Sequence, residues 1–148
     1  MKKYLVCLFV LLGCNNGAET PEGLLKMFVA DTVAGKVDRG YYQAYTSGEL
    51  LKASEDLTDE EIENSKMPSL KKVKTKILSK NCESNRCIIT YLVSYNTKSE
   101  KSDQGTSFAT EIKKIAEVVK ESDMWKLTSV KNIKTFHESL EPIKPLEK

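Results

Sequence analysis

Only a few side chains in this 148-residue chain have types and spacing that could do chemistry. Cys82 and Cys87 flank Glu83-Ser84-Asn85-Arg86, a polar stretch between two apolar runs. Four intervening residues suit a hairpin loop, which sets the two thiols at facing positions. Facing Cβ atoms lie about 4.5–5.5 Å apart, slightly long for a disulfide but adjustable. A structural disulfide is the expectation, with a contribution of about 2 kcal/mol because the ring is small. The rival is a redox pair, which would want a helix N-terminus or closer spacing to lower one thiol pKa; the sequence offers neither. His137 is the single histidine and lies near the chain's end. That excludes, or nearly excludes, a His-based triad and a multi-histidine metal site. Asp31 and Glu111 are lone carboxylates with no evident partner for acid–base work. There is no glycine-rich phosphate loop and no nucleophile elbow. Phe28, Tyr41, Tyr42, Tyr45 and Trp125 could line a cavity between a helix and a sheet, the usual place for a small ligand. The same aromatics could equally fill a core. No cofactor and no metal are expected.

The elements that must position these residues follow from periodicity. Thr20-Pro21-Glu22 is a helix start, with Thr20 as cap and Pro21 where a missing N–H costs nothing. Leu24, Leu25, Phe28, Val29 and Val33 recur at helical spacing up to Gly35, a stop signal, and define a helix over 21–34. Val37 to Tyr45 forms a second short pattern, with Asp38 as cap. Ser47 stands before Glu49-Leu50-Leu51 as the cap of a third helix. Thr58 with Glu61 three residues on is a capping box that opens an acidic helix from Asp59 to Lys66. Its acids lack the spacing of a calcium loop and read as a solvated face.

From Leu70 the period changes. Val73, Thr75 and Ile77 alternate with Lys72, Lys74 and Lys76, a half-buried strand with a basic outer face. That face could meet anionic headgroups or glycan, but reads first as a lysine-guarded strand. Cys87 to Asn96 is the strongest strand. Lys98 to Gly105 is a polar loop. Phe108 to Lys120 is a third strand, with Ile112, Ala116 and Val118 on one side and Glu111, Lys113 and Glu117 on the other; a helix there is the alternative. After a Ser122-Asp123 turn, Met124 to Phe136 is the fourth, carrying Trp125, Leu127, Val130 and Ile133. Residues 137–148 read as a flexible tail. Helices followed by four strands argue for an α+β fold, helices packed on a curved four-stranded antiparallel sheet, as one domain over residues 20–136.

The first fourteen residues speak to location. Lys2-Lys3, a nine-residue apolar run from Tyr4 to Leu12 and small residues at its end describe a secretory signal. The run falls well short of the roughly 20 residues that span a bilayer. Leu11-Leu12-Gly13-Cys14 resembles the lipobox of bacterial lipoproteins. The resemblance implies cleavage before Cys14, diacylglycerol on its sulfur and an acylated terminus, with the bilayer as partner. Residues 1–13 are then the signal peptide and 14–19 a tether. Two or more acyl chains hold firmly where one holds marginally. In lipoproteins of the enteric type an Asp after the cysteine favours the inner membrane; Asn15 leans instead to the outer membrane, where a cell has one. Export also favours the oxidised Cys82–Cys87 pair. The formal charge is +2, with 23 basic and 21 acidic side chains. Lys2 and Lys3 leave with the signal, so the remainder is near neutral and nucleic acid is not an expected partner.

Two further stretches carry a second resemblance. Thr20-Pro21-Glu22-Gly23 opens a helix ending near Gly35-Lys36-Val37-Asp38, with Tyr41, Tyr42 and Tyr45 following. Glu117 to Leu127 forms a hairpin with Trp-Lys-Leu in its last strand. Together these resemble small bacterial lipoproteins of the nuclear-transport-factor-2-like superfamily, near the lumazine-binding-like domains of unknown function. The resemblance implies a curved sheet wrapping a long helix into a cone. Some members of that superfamily are enzymes, with a single carboxylate or tyrosine as acid or base, and many only bind or scaffold. The expected function is therefore a membrane-anchored, non-enzymatic domain of the cell envelope that binds a small ligand or a protein. The alternatives are a small cone-fold enzyme and a purely structural envelope protein.

Overall fold

A computed structural model describes residues 17–66, 70–98 and 107–140. The signal, Cys14, Asn15, the segment 99–106 and the last eight residues lie outside the described residues. Four helices come first: α1 (Pro21–Val33), α2 (Arg39–Tyr45), α3 (Gly48–Glu55) and α4 (Asp59–Ser65). Four strands follow: β1 (Lys71–Glu83), β2 (Arg86–Lys98), β3 (Ser107–Glu121) and β4 (Met124–Ser139). They form one open antiparallel sheet in the order β1-β2-β3-β4, giving the expected α+β fold.

The helix boundaries follow local chemistry. Thr20 accepts from the Gly23 amide at 3.0 Å, and Asp38 from the Tyr41 amide at 2.7 Å. Thr58 and Glu61 form the reciprocal capping box at the start of α4. Each satisfies backbone donors that the first turn leaves unpaired. Gly35 stands at φ +69° just past α1, a conformation that suits glycine. Ser47 occupies the cap position of α3, but its side chain makes no capping bond. Its buried hydroxyl has no partner among the described residues. Gly17–Glu19, expected as part of a loose tether, form a 3-10 turn instead, and Ala18 packs against the core.

Alternation divides the sheet into two faces. Cys87, Ile89, Tyr91 and Val93 of β2, with Ala116 and Val118 of β3 and Leu127 of β4, are buried on the inner face. α1 lies against this face, and its Leu24 and Leu25 are fully buried there. Arg39 ties the small helices together: its guanidinium donates to Asp59 Oδ1 at 3.0 Å and to the Leu57 carbonyl at 2.7 Å. Thr46 bridges to Leu127 and the Ser47 amide donates to the Leu127 carbonyl at 3.0 Å, covering the first half of the β4 edge.

Two differences from expectation lie on β4. The strand runs to Ser139, so His137 is inside it rather than in a tail. The reason is pairing: β3 continues opposite it, with Thr110 facing His137 and Phe108 facing Ser139. The second is a register shift. Lys113 faces Lys134 and Lys114 faces Asn132, leaving Ile133 without a partner. Ile133 is therefore a bulge residue, 52% exposed, and not the core residue its spacing suggests. A similar shift in β1 between Ile77 and Ser79 leaves Leu78 at the surface.

Candidate functional site

Beyond Leu24 and Leu25, the helix and the sheet diverge in chemistry. The second half of α1 presents Phe28, Val29, Thr32 and Val33 to the inner face, and between them lies a cleft of about 130 Å³. On the sheet side its wall is formed by Tyr91 and Tyr95 of β2, Ile112 of β3 and Val130 of β4. The lining is apolar or aromatic except at Thr32, whose hydroxyl is turned back onto the Phe28 carbonyl at 2.8 Å, and at Lys114, on β3 between Ile112 and Ala116. Strand alternation places Lys114 inward, opposite the buried Tyr91. Burial in this wall pulls its ammonium below the ordinary lysine range, because charge is disfavoured where water is scarce. No carboxylate lines the cleft among the described residues, and none pairs with Lys114.

The other inward lysine beside α1 is treated differently. Lys80, opposite Ile89, forms an ion pair with Glu22 in the first turn of α1. That contact holds the Glu22 carboxyl below the usual carboxylate range.

The expected aromatic pocket is redrawn. Of Phe28, Tyr41, Tyr42, Tyr45 and Trp125, only Phe28 lines the cleft. Tyr41 and Tyr42 pack on Phe28 from α2, with ring centroids 6.0 and 6.2 Å away. Tyr45 packs at a tilt against Tyr41, with ring centroids 4.7 Å apart. Trp125 packs separately on the core from the start of β4. The cause is the position of α2, which lies beside α1: the Tyr41 hydroxyl donates to Asp31 of α1 at 3.0 Å. Burial and this bond push the Tyr41 phenol well above its ordinary range. Asp31 is thus engaged, by Tyr41 and by Lys36 at 3.6 Å.

Cys82 and Cys87 face each other across a two-residue turn, with sulfurs 2.06 Å apart, at disulfide distance. Glu83 and Arg86 also pair, so the turn itself is only Ser84-Asn85. His137 meets the buried Thr110 hydroxyl at 3.0 Å through Nδ1. Among the described residues no group of three or more His, Cys, Asp or Glu could hold a metal. No helix among them is long and apolar enough to cross a membrane.

A larger hollow of about 600 Å³ lies on the outer face, lined in part by Lys72, Lys74, Glu111, Phe136 and Glu138. Its charges are of both signs, so it selects for neither. The basic surface suggested by the β1 lysines alone is broken by these acids.

Sequence reasoning missed Lys114 and Arg39. The signal for Lys114 was available: it falls in the alternation between Ile112 and Ala116, at a position where an apolar residue belongs.

No family model matches the sequence, and no curated protein matches it. Two solved structures share the fold. One is the solution structure of a SEC-C motif containing protein from Rhodopseudomonas palustris, with TM-score 0.56 and 12% identity, covering 78% of this chain and 80% of that one. The other is the crystal structure of the intermembrane space region of chloroplast protein ARC6, with TM-score 0.54 and 12% identity, covering 78% and 95%. Identity this low establishes the fold alone. These neighbours correct the expected kinship: neither bears the name of a nuclear-transport-factor-2-like protein or of a lipoprotein, and that resemblance falls away.

Proposed function

We propose that this chain is a binding domain held at the cell envelope through acyl chains on Cys14, and that it takes a small ligand between α1 and the sheet. The observation that carries the binding half is the cleft: an apolar space beside a helix, bordered by a single ionisable ammonium. Pockets of this build, mostly apolar with one convergent polar group, are ligand sites by preference. A catalytic reading built on a carboxylate would call for one of raised pKa in the cleft, and among the described residues none lines it. The anchoring half is supported by Lys2-Lys3, the apolar run and Leu11-Leu12-Gly13-Cys14. The cysteine pair at disulfide distance suits an oxidising compartment.

The anchor is tested by expressing the full chain and its Cys14→Ser variant in a bacterium fed a clickable palmitate analogue. Wild type should take up label and sediment with envelopes; the variant should do neither. Equal label and equal sedimentation would overturn the anchor. Binding is tested separately, by screening small apolar and amphiphilic compounds for shifts of the Val33 and Ile112 methyl resonances. A cleft that no compound enters would overturn the ligand site.

A further inference from the structure

Resting on that reading of the cleft, we propose that its ligand is a small carboxylate with a ring-sized apolar body, and that Lys114 is the residue that selects the charge.

Three observations carry this. The first is the placement of Lys114 itself. Its neighbours along the inner face of β3 are Thr110, Ile112, Ala116 and Val118, and Tyr91 stands opposite. Thr110, Ala116, Val118 and Tyr91 are at most 2% exposed. A strand position among such residues is served by Leu, Ile or Val. An ammonium there costs free energy unless it is paired.

The second is the missing counter-charge. The two other inward lysines that end beside acids have them: Lys80 meets Glu22, and Lys120 meets Asp123 at 3.6 Å. Lys114 meets no carboxylate among the described residues. The titratable groups that face it in the cleft are the phenols of Tyr91 and Tyr95, which do not neutralise an ammonium at ordinary pH. Burial already draws the amine down. An incoming anion would reverse that, because an opposite charge within a few ångströms favours the protonated form.

The third is the size and lining of the space. About 130 Å³ compares with a cavity of roughly 150 Å³ that holds benzene. Phe28, Tyr91 and Tyr95 offer ring edges and faces to an aromatic or branched body. The alternative account of Lys114 is that its stem lies along the wall while its head reaches water, with no ligand at all.

The test uses two probes of the same shape, phenylacetate and the neutral phenylacetamide, titrated into the full chain labelled at Val and Ile methyls. Phenylacetate should shift Val33 and Ile112 and bind at least about tenfold more tightly than the amide, the worth of one charge-assisted hydrogen bond. Lys114→Met should bring the two probes to equal affinity. The wild-type comparison needs no variant, so the inference stays testable even if Lys114→Met misfolds. Equal affinities in wild type would overturn the charge selection while leaving the cleft a binding site. No methyl shift with either probe would overturn this ligand class, and the wider screen would then decide the site itself. Preference for the anion that survives Lys114→Met would overturn the role of this residue.

Discussion

The two ends of the α1–sheet interface obey the same packing rule and reach opposite results. At the first end Leu24 and Leu25 fill the space against the buried Ile89, Val118 and Leu127, and the inward Lys80 is neutralised by Glu22. At the second, Val29, Thr32 and Val33 stand where larger side chains could pack, a cleft remains, and the inward Lys114 meets no acid among the described residues. Both ends contain a lysine on the buried face of a strand. The first is closed by side-chain volume and by a carboxylate; the second lacks both. One end of the interface is built for stability, and the other gives up packing and charge neutrality together. That pairing of deficits favours a site over a packing flaw, since a flaw would need only one of them.

The contrast should be easiest to see in core truncations. Leu24→Ala is expected to cost about 2–5 kcal/mol, the range for a fully buried leucine. Val33→Ala should cost a small fraction of that, because the methyls it removes already face open space. Denaturant unfolding of the two variants checks this, and equal losses would erase the distinction between the ends. The next largest effect concerns the hairpin that joins β1 to β2. Cys87 is 1% exposed, within the core cluster of the closed end. Replacing Cys82 and Cys87 by Ser together should lower stability by about 2 kcal/mol under oxidising conditions. Under strong reductant, wild type should approach the variant.

Lys114→Met should move stability the other way. An isosteric apolar side chain removes a desolvated charge, and a gain of about 1 kcal/mol at neutral pH is expected. The gain should depend on pH with a definite sign. In the folded protein the amine sits below its ordinary value of 10.5, so between the two values the unfolded chain binds more protons. Wild-type stability then rises with pH through that window, and the burial cost is full below it. The advantage of Lys114→Met should therefore shrink as pH rises toward 10.5. A pH-independent difference between the two proteins would mean that charge is not the cause.

What the sequence made legible was local. Thr20, Asp38, the Thr58–Glu61 box and the Ser122-Asp123 turn act through bonds a few residues away, and each lies where its type predicts. The strand alternation of Val73, Thr75 and Ile77 was equally plain, since period 2 needs no knowledge of the partner. What failed was anything set by register between strands. Ile133 and Leu78 are apolar, yet each sits at a register shift and both lie at the surface. The lining of the cleft was misread for a related reason. Aromatics draw attention by size, but α2 lies beside α1, and so Tyr41 and Tyr42 pack on Phe28 while smaller residues line the open space. The informative residue was the one whose type conflicts with its position, Lys114.

The smallest expected effect is at the closed end's own ion pair. Glu22 is 28% exposed and Lys80 42% by side chain, so solvent screens the pair and its worth should be about 0.2–1 kcal/mol. Glu22→Gln alone is ambiguous, because an acid in the first turn of α1 also gains from the helix dipole. A double-mutant cycle with Lys80→Met isolates the pair. Here the sign is opposite to that at Lys114. The Glu22 carboxyl lies below its ordinary 4.5, chiefly through the bond from Lys80. Its contribution is therefore present above pH 4.5 and is lost as pH falls through the folded value. The coupling should also shrink at high salt. A lysine neutralised at one end and exposed to its own burial cost at the other thus predicts two pH dependences: one disappears in acid, the other in base. A coupling that persists unchanged into acid would remove Glu22 as the partner of Lys80, and with it the reason the two lysines differ.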